Sequence, residues 1–196
     1  MQKIVIASNN AGKLWEFQHL LSGCGFELLP QSDFKVKDAD ETGSTFAENA
    51  IIKARHACAL TGLPAIADDS GIEVDALNGR PGVYSARYSG PGASDADNNT
   101  KLLTELANVS MGKRTARYQA VLAYMRHADD PTPILCHGSW EGVILTEARG
   151  NNGFGYDPLF YIPSHNCTAA ELEKAEKNRI SHRGLAMSKL LVRLQK

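Results

Sequence analysis

The chain has 196 residues, 43% of them hydrophobic, enough for one substantial core built as a single domain or as two small lobes. With 21 basic and 22 acidic residues the formal net charge is -1, a balance that gives no general attraction to a nucleic-acid backbone or an anionic membrane. Local charge can still hold a small anion.

The apolar part of residues 1–7 is too short for a signal peptide and runs straight into polar residues. No apolar run reaches membrane-spanning length. Cys24, Cys58, Cys136 and Cys167 are widely spaced and form no CxxC pair, so reduced, structural cysteines in the cytosol are expected.

In chain order, residues 4–7 are apolar and partly β-branched, which predicts a short buried strand. A helix is expected from about Ala11, with Leu14, Phe17, Leu20 and Leu21 on one face and Gly23 and Gly25 ending it. Thr45-Phe46-Ala47-Glu48 is a capping-box pattern that opens a second helix, running to about Leu60 and stopping near Gly62 and Pro64. Residues 65–67 read as a short strand entering a turn at Asp68-Asp69-Ser70-Gly71, with another strand over 72–76. Residues 95–107 read as helix, and 115–126 and 134–145 as paired long strands separated by Asp129-Asp130-Pro131. Thr168-Ala169-Ala170-Glu171 is a second capping-box pattern, and Ser181 is placed to cap a last helix carrying Leu185, Met187, Leu190, Leu191 and Leu194. This mixture predicts an α/β chain with a long sheet and helices on its faces.

Four stretches carry chemistry. A turn after a buried strand, as at Ser8-Asn9-Asn10-Ala11-Gly12-Lys13, offers free N–H groups and a helix N-terminus, both favourable to phosphate. It is not a Walker A loop, since Ala7 stands where the first glycine belongs and Leu14 follows the lysine. Read alone, it is more simply an ordinary polar turn with a solvated lysine. Asp68 and Asp69 at the end of an apolar strand need compensation by a cation or by donors, and magnesium takes oxygen ligands of this kind; a solvated Asp-Asp turn is the alternative. Asp40, Glu41 and Glu48 form a third acidic group, in which Glu48 also serves as the capping-box acid and Lys53 either meets a phosphate or lies along the surface. The stretch Gly150-Asn151-Asn152-Gly153-Phe154-Gly155-Tyr156-Asp157-Pro158 sets glycines around two aromatics. That suits close backbone approach and ring stacking, or simply a tightly packed turn. Lys177, Ser181, His182 and Arg183 add donors near a helix start.

Together these segments resemble one family. The Ser8-to-Lys13 turn, Glu41-Thr42-Gly43, Phe46-Ala47-Glu48-Asn49-Ala50, Ala67-Asp68-Asp69-Ser70-Gly71, Pro81-Gly82-Val83-Tyr84-Ser85-Ala86-Arg87-Tyr88, Gly153-Phe154-Gly155-Tyr156-Asp157-Pro158 and Ser181-His182-Arg183-Gly184 occur in the order found in the Ham1/RdgB family of inosine triphosphate pyrophosphatases. The resemblance covers essentially the whole chain, with the bacterial branch nearest. Asn9 departs from a glycine common in the family and Asn152 interrupts a glycine-rich run; both leave their turns polar.

The resemblance implies one Ham1/ITPase-like domain over 1–196, an elongated α/β fold of two lobes with a long central mixed sheet flanked by helices. It also implies an active site in the cleft between the lobes and a cytoplasmic homodimer, with no nucleic-acid or membrane partner. The implied activity is magnesium-dependent hydrolysis of dITP, ITP and XTP between the α and β phosphates, giving a monophosphate and pyrophosphate. By matching positions, Ser8, Asn9, Asn10, Ala11, Gly12 and Lys13 hold the triphosphate with help from Lys53. Asp69 is the catalytic acid-base residue and a magnesium ligand, Glu41 or Glu48 the second metal-site acid, and Asp68 their support. Ser70 touches substrate, Phe154 stacks on the purine, and Gly155, Tyr156, Asp157, Lys177, His182 and Arg183 line the base pocket.

Two other readings compete. A nucleotide sensor that kept the pocket and lost turnover would be marked by loss of an acid, whereas Asp68, Asp69, Lys13 and Lys53 are all present. A house-cleaning pyrophosphatase for modified pyrimidines, as in the Maf family, is opposed by the Phe154-to-Asp157 and His182-Arg183 segments.

Overall fold

The computed structural model describes residues 2–195. In chain order they form β1 (Gln2–Ile6), α1 (Ala11–Leu20), β2 (Phe26–Pro30), α2 (Phe46–Thr61), β3 (Ala65–Val74) and α3 (Asp95–Glu105). There follow β4 (Thr115–Met125), β5 (Ile134–Ile144), β6 (Phe160–Ile162), β7 (Cys167–Thr168), α4 (Lys174–Ile180) and α5 (His182–Leu194). The strands make one seven-stranded sheet in the order β2-β1-β3-β4-β5-β6-β7. β1 runs parallel to β2 and β3, while β6 is antiparallel to both β5 and β7, so the sheet is mixed.

The chain divides into two compact units. The first comprises residues 2–69, 120–138 and 183–195. Its strands bury both faces, and the period-2 alternation of side chains sorts them cleanly. Ile4, Ile6, Ile66, Ala120 and Leu122 pack with Phe17 and Leu21 of the α1 region and Met187 and Leu190 of α5. Val5, Ala7, Ala65, Ala67, Val121 and Ala123 pack with Ala50, Ala54, Ala57 and Cys58 of α2. Small residues on α2 bring that helix close to the sheet. The second unit comprises 70–119 and 139–182. Its core gathers Ile72, Val74, Leu102, Leu106, Tyr118, Trp140, Tyr156 and Phe160.

Most expected elements are present with slightly different ends, and two expectations fail. The turn expected at residues 68–71 does not exist: β3 runs unbroken from Ala65 to Val74. The carboxylates of Asp68 and Asp69 are met by cations from distant segments, so the strand need not break to solvate them. Nor does the pattern Thr168 to Glu171 open a helix. The Glu171 carboxylate accepts the Thr168 N–H at 2.7 Å and the Glu171 N–H reaches the Thr168 carbonyl at 3.0 Å, which closes a turn; α4 begins only at Lys174. The Thr45–Glu48 box does open α2, with both reciprocal bonds formed. Among the described residues no helix is long and apolar enough to cross a membrane.

Candidate active site

The turn after β1 is fixed from within. Asn10 caps α1 by accepting the Lys13 N–H at 3.0 Å, and Ser8 Oγ accepts the Asn10 N–H at 3.1 Å. Asn9 donates to Asp38 at 3.0 Å, and the same Asp38 oxygen accepts from Gln31 at 2.6 Å. Ala11 and Gly12 form the first turn of α1, so backbone N–H groups at this end have no partner inside the helix.

Because Asp68 and Asp69 lie within a strand, their side chains project to opposite faces. Asp68, only 2% exposed, receives the Lys13 ammonium at 2.7 Å and Arg183 Nη2 at 3.1 Å. Arg183 is also paired with the buried Glu16 of α1. Burial alone would raise the Asp68 pKa, but Arg183 and Lys13 outweigh it and hold the carboxyl well below its ordinary value. Burial lowers the Lys13 pKa against the pull of Asp68.

Asp69 meets a different set. Lys53 of α2 donates to Asp69 at 2.8 Å and to Glu41 at 2.7 Å, so one ammonium lies against two carboxylates. Burial, helped by the Glu41 charge and opposed by Lys53, raises the Asp69 pKa above the usual carboxylate value. The Lys53 pKa is raised because Asp69 and Glu41 together outweigh its burial. Asn49, fully buried, accepts the Gly43 N–H at 2.8 Å and donates to Asp69 at 3.3 Å. Any Cβ at Gly43 would fall 2.6 Å from Glu48 Cβ, so only glycine lets the loop lie this close. Ser70 follows Asp69 in β3 and is half-buried.

This geometry separates the two expected metal-site glutamates. Glu48 Oε2 is engaged by Ser44 N–H, Ser44 Oγ and Thr45 N–H at 2.8, 2.8 and 3.0 Å, whereas Glu41 stands at Lys53 with Asp69. Asp68, expected as a support for the same ion, faces Lys13 and Arg183 instead. Among the described residues no three His, Cys, Asp or Glu side chains gather closely enough to cage a metal.

In the second unit the Phe154–Asp157 loop is organised around Asp157, which is 2% exposed. Its oxygens accept from the Phe154 N–H at 2.9 Å, from Tyr118 Oη at 3.2 Å and from Lys177. Asp157, expected to read a base edge, clamps its own loop through these bonds. Burial, reinforced by the Asp157 charge, pushes the Tyr118 pKa well up, so this phenol stays a donor. The Lys177 ammonium also lies 4.8 Å from the Phe154 ring centre, a cation–π distance. His182 stacks on Tyr118 with centroids 4.7 Å apart and planes 10° apart. Tyr156, expected in the base pocket, is buried in the core with its hydroxyl on the Ser85 carbonyl at 2.8 Å. Arg183, expected beside these residues, reaches Glu16 and Asp68 in the first unit.

Three side chains that hold the functional groups escape a sequence reading: Glu16, Asn49 and Tyr118. Glu16 follows Lys13 by three residues, one helical turn, on a helix face that otherwise reads as apolar. Asn49 is four residues before Lys53 on α2, a spacing that puts both on one side of the helix and could have flagged it. Tyr118 carries no local signal, since its partner Asp157 is far along the chain.

A model of the Ham1 family matches residues 4–193. A dITP/XTP pyrophosphatase of Vibrio cholerae is 60% identical over 190 residues, covering 97% of this chain and 95% of that protein. One of Thioalkalivibrio sulfidiphilus is 62% identical over 193 residues, covering 98% of each. The solved structure of a HAM1 protein from Coxiella burnetii matches with a TM-score of 0.93 at 54% identity, covering 100% of this chain and 99% of that one.

Proposed function

The chain belongs to the Ham1 family, and from that premise we propose that it hydrolyses dITP, ITP and XTP to the monophosphate and pyrophosphate. Its relatives named dITP/XTP pyrophosphatase span nearly its whole length. The observation that carries the reading is the Asp69–Lys53–Glu41 group: a carboxylate of raised pKa, oriented by Asn49 and balanced by one lysine.

In this reading the triphosphate lies on the Ser8–Lys13 turn, where the N-terminus of α1, the Ser8 hydroxyl and Lys13 meet its charge. Asp69 takes the proton of the attacking water. As the α–β anhydride bond breaks, charge grows on the pyrophosphate, and Lys13 and Lys53 stabilise it without having to reorganise. Asp68 and Glu16 keep Lys13 and Arg183 in place.

A divalent cation fits the donor set. Glu41 and Asp69 offer hard carboxylate oxygens, and two carboxylates completed by substrate oxygens and waters is the manner in which Mg2+ is usually held. Glu41 and Asp69 would hold it, and when bound it supplies charge neutralisation at the phosphate oxygens.

On the base side, Phe154 stacks on the purine, its loop held by Asp157 and Gly155. His182 donates to the keto oxygen at C6, which adenine lacks, so an adenine would leave that N–H unpaired. Purified protein with Mg2+ should release pyrophosphate from dITP, ITP and XTP at least about 100-fold faster than from ATP and faster than from GTP. Equal rates on all five would overturn the proposed selectivity.

A further inference from the structure

The loop that carries Phe154 is held from a second direction by residues outside every motif considered so far. Gly155 N–H donates to Asp95 Oδ2 at 2.6 Å, and Gly155 O accepts from Asn99 Nδ2 at 2.9 Å. Both groups of one residue are thus fixed by side chains four apart on α3, which therefore share a helix face. On the other side of the ring-bearing residue, the Phe154 N–H is held by Asp157. Phe154 stands between two anchored peptide groups.

The mount is rigid. Ser94 and Asp97 form a complete capping box at the start of α3, and the buried Asn98 accepts the Ser89 N–H at 2.8 Å and donates to the Ala86 carbonyl at 3.2 Å. Gly155 has φ +63 with nothing within 4 Å of a built Cβ. It is there for its backbone shape, which glycine adopts at no steric cost. Asn99 Oδ1 is buried and takes no hydrogen bond from the described residues. An apolar side chain would avoid that cost if Asn99 only filled space.

We propose that Asp95 and Asn99 are positioning residues for purine recognition, holding the Phe154–Gly155 peptide so that the ring presents a fixed stacking surface. The proposal rests on the functional reading above. It confines their effect to the base: loss of either bond loosens the aromatic loop and leaves the phosphate groups of the first unit as they were. A ring pre-set by two hydrogen bonds loses less freedom on binding than a mobile one.

The test uses the full chain with Asp95→Ala, Asn99→Leu and the conservative Asp95→Asn, which keeps an acceptor oxygen. KM for dITP should rise about 10-fold or more in Asp95→Ala, the scale of a lost hydrogen bond to a charged group, and about 3-fold to 10-fold in Asn99→Leu, the scale of a neutral one, with a much smaller fall in kcat. Inhibition by inorganic pyrophosphate should be unchanged, and Asp95→Asn should recover most of the loss. Amide exchange over residues 153–157 should quicken in Asp95→Ala and Asn99→Leu. Unaltered KM and exchange in both would overturn the proposal, as would an equal loss of pyrophosphate affinity, which marks general disruption. Wild-type protein that left dITP intact would sink the functional reading instead, and the exchange measurement would still decide whether α3 fixes the loop.

Discussion

Asp68 and Asp69 are neighbours in β3 yet answer to different cations, Lys13 at 2.7 Å for the first and Lys53 at 2.8 Å for the second. The alternation of a strand turns two adjacent carboxylates into two separate groups. Asp68 is held ionised by Arg183 and Lys13, and Asp69 is left with a raised pKa beside Glu41. A structural anion and a proton acceptor can then occupy consecutive positions.

Replacing Asp69 with Asn should cut kcat by about 100-fold to 10,000-fold, the range for loss of a general base. Its circular dichroism should stay that of the wild type. Rates near wild type would remove Asp69 from the proton-accepting role.

The titration of Asp69 follows from the same group. In the metal-free protein burial, with the Glu41 charge, raises its pKa above 3.8. Glu41→Gln removes a negative neighbour while Lys53 stays, so the Asp69 carboxyl, followed by NMR titration without metal, should lose its proton at lower pH. A titration that stays in place or moves upward would contradict the coupling.

Asp68 acts on stability with a definite sign. Its folded-state pKa lies below the ordinary 3.8, so its contribution is complete above that value and is lost as acid carries the pH down toward the folded pKa. Asp68→Asn should cost about 3 kcal/mol at pH 7, the scale of a broken buried pair. Urea midpoints of the variant should fall less steeply below pH 4 than those of the wild type. Parallel acid curves would refute this.

Lys13→Ala should weaken binding of pyrophosphate about 10-fold to 100-fold, as expected for one charge-assisted contact, while inosine binding measured by calorimetry stays the same. Equal loss for both would show that Lys13 supports the fold rather than the phosphate.

How much of this was legible in the sequence depends on how far apart the interacting residues lie. The capping box at Thr45 and Glu48 is a local event and reads directly. So does the strand-turn-helix of residues 4–20, because its apolar spacing lies within a few residues, although the capping role of Asn10 emerges only in the structure. The continuous strand through Asp68 and Asp69 was hidden, since the cations that permit it come from positions 13, 53 and 183. The loop-clamping contacts of Asp157 were hidden for a related reason. Its acceptors suited a base edge, and only the fold reveals that Tyr118, Lys177 and its own loop engage them. The pattern at Thr168 shows the converse: Glu171 accepts the Thr168 N–H as a capping box would, but its own N–H goes to the Thr168 carbonyl rather than the hydroxyl, which donates to the Arg149 carbonyl, and a turn results.

Product analysis gives the most direct trial of the central claim. With dITP and Mg2+, phosphorus-31 spectra taken through a single time course should show dIMP and pyrophosphate growing together from the first points. Appearance of dIDP with orthophosphate would mean that the terminal anhydride is the one cut, and the placement of Asp69 and the two lysines around the α–β bond would be wrong.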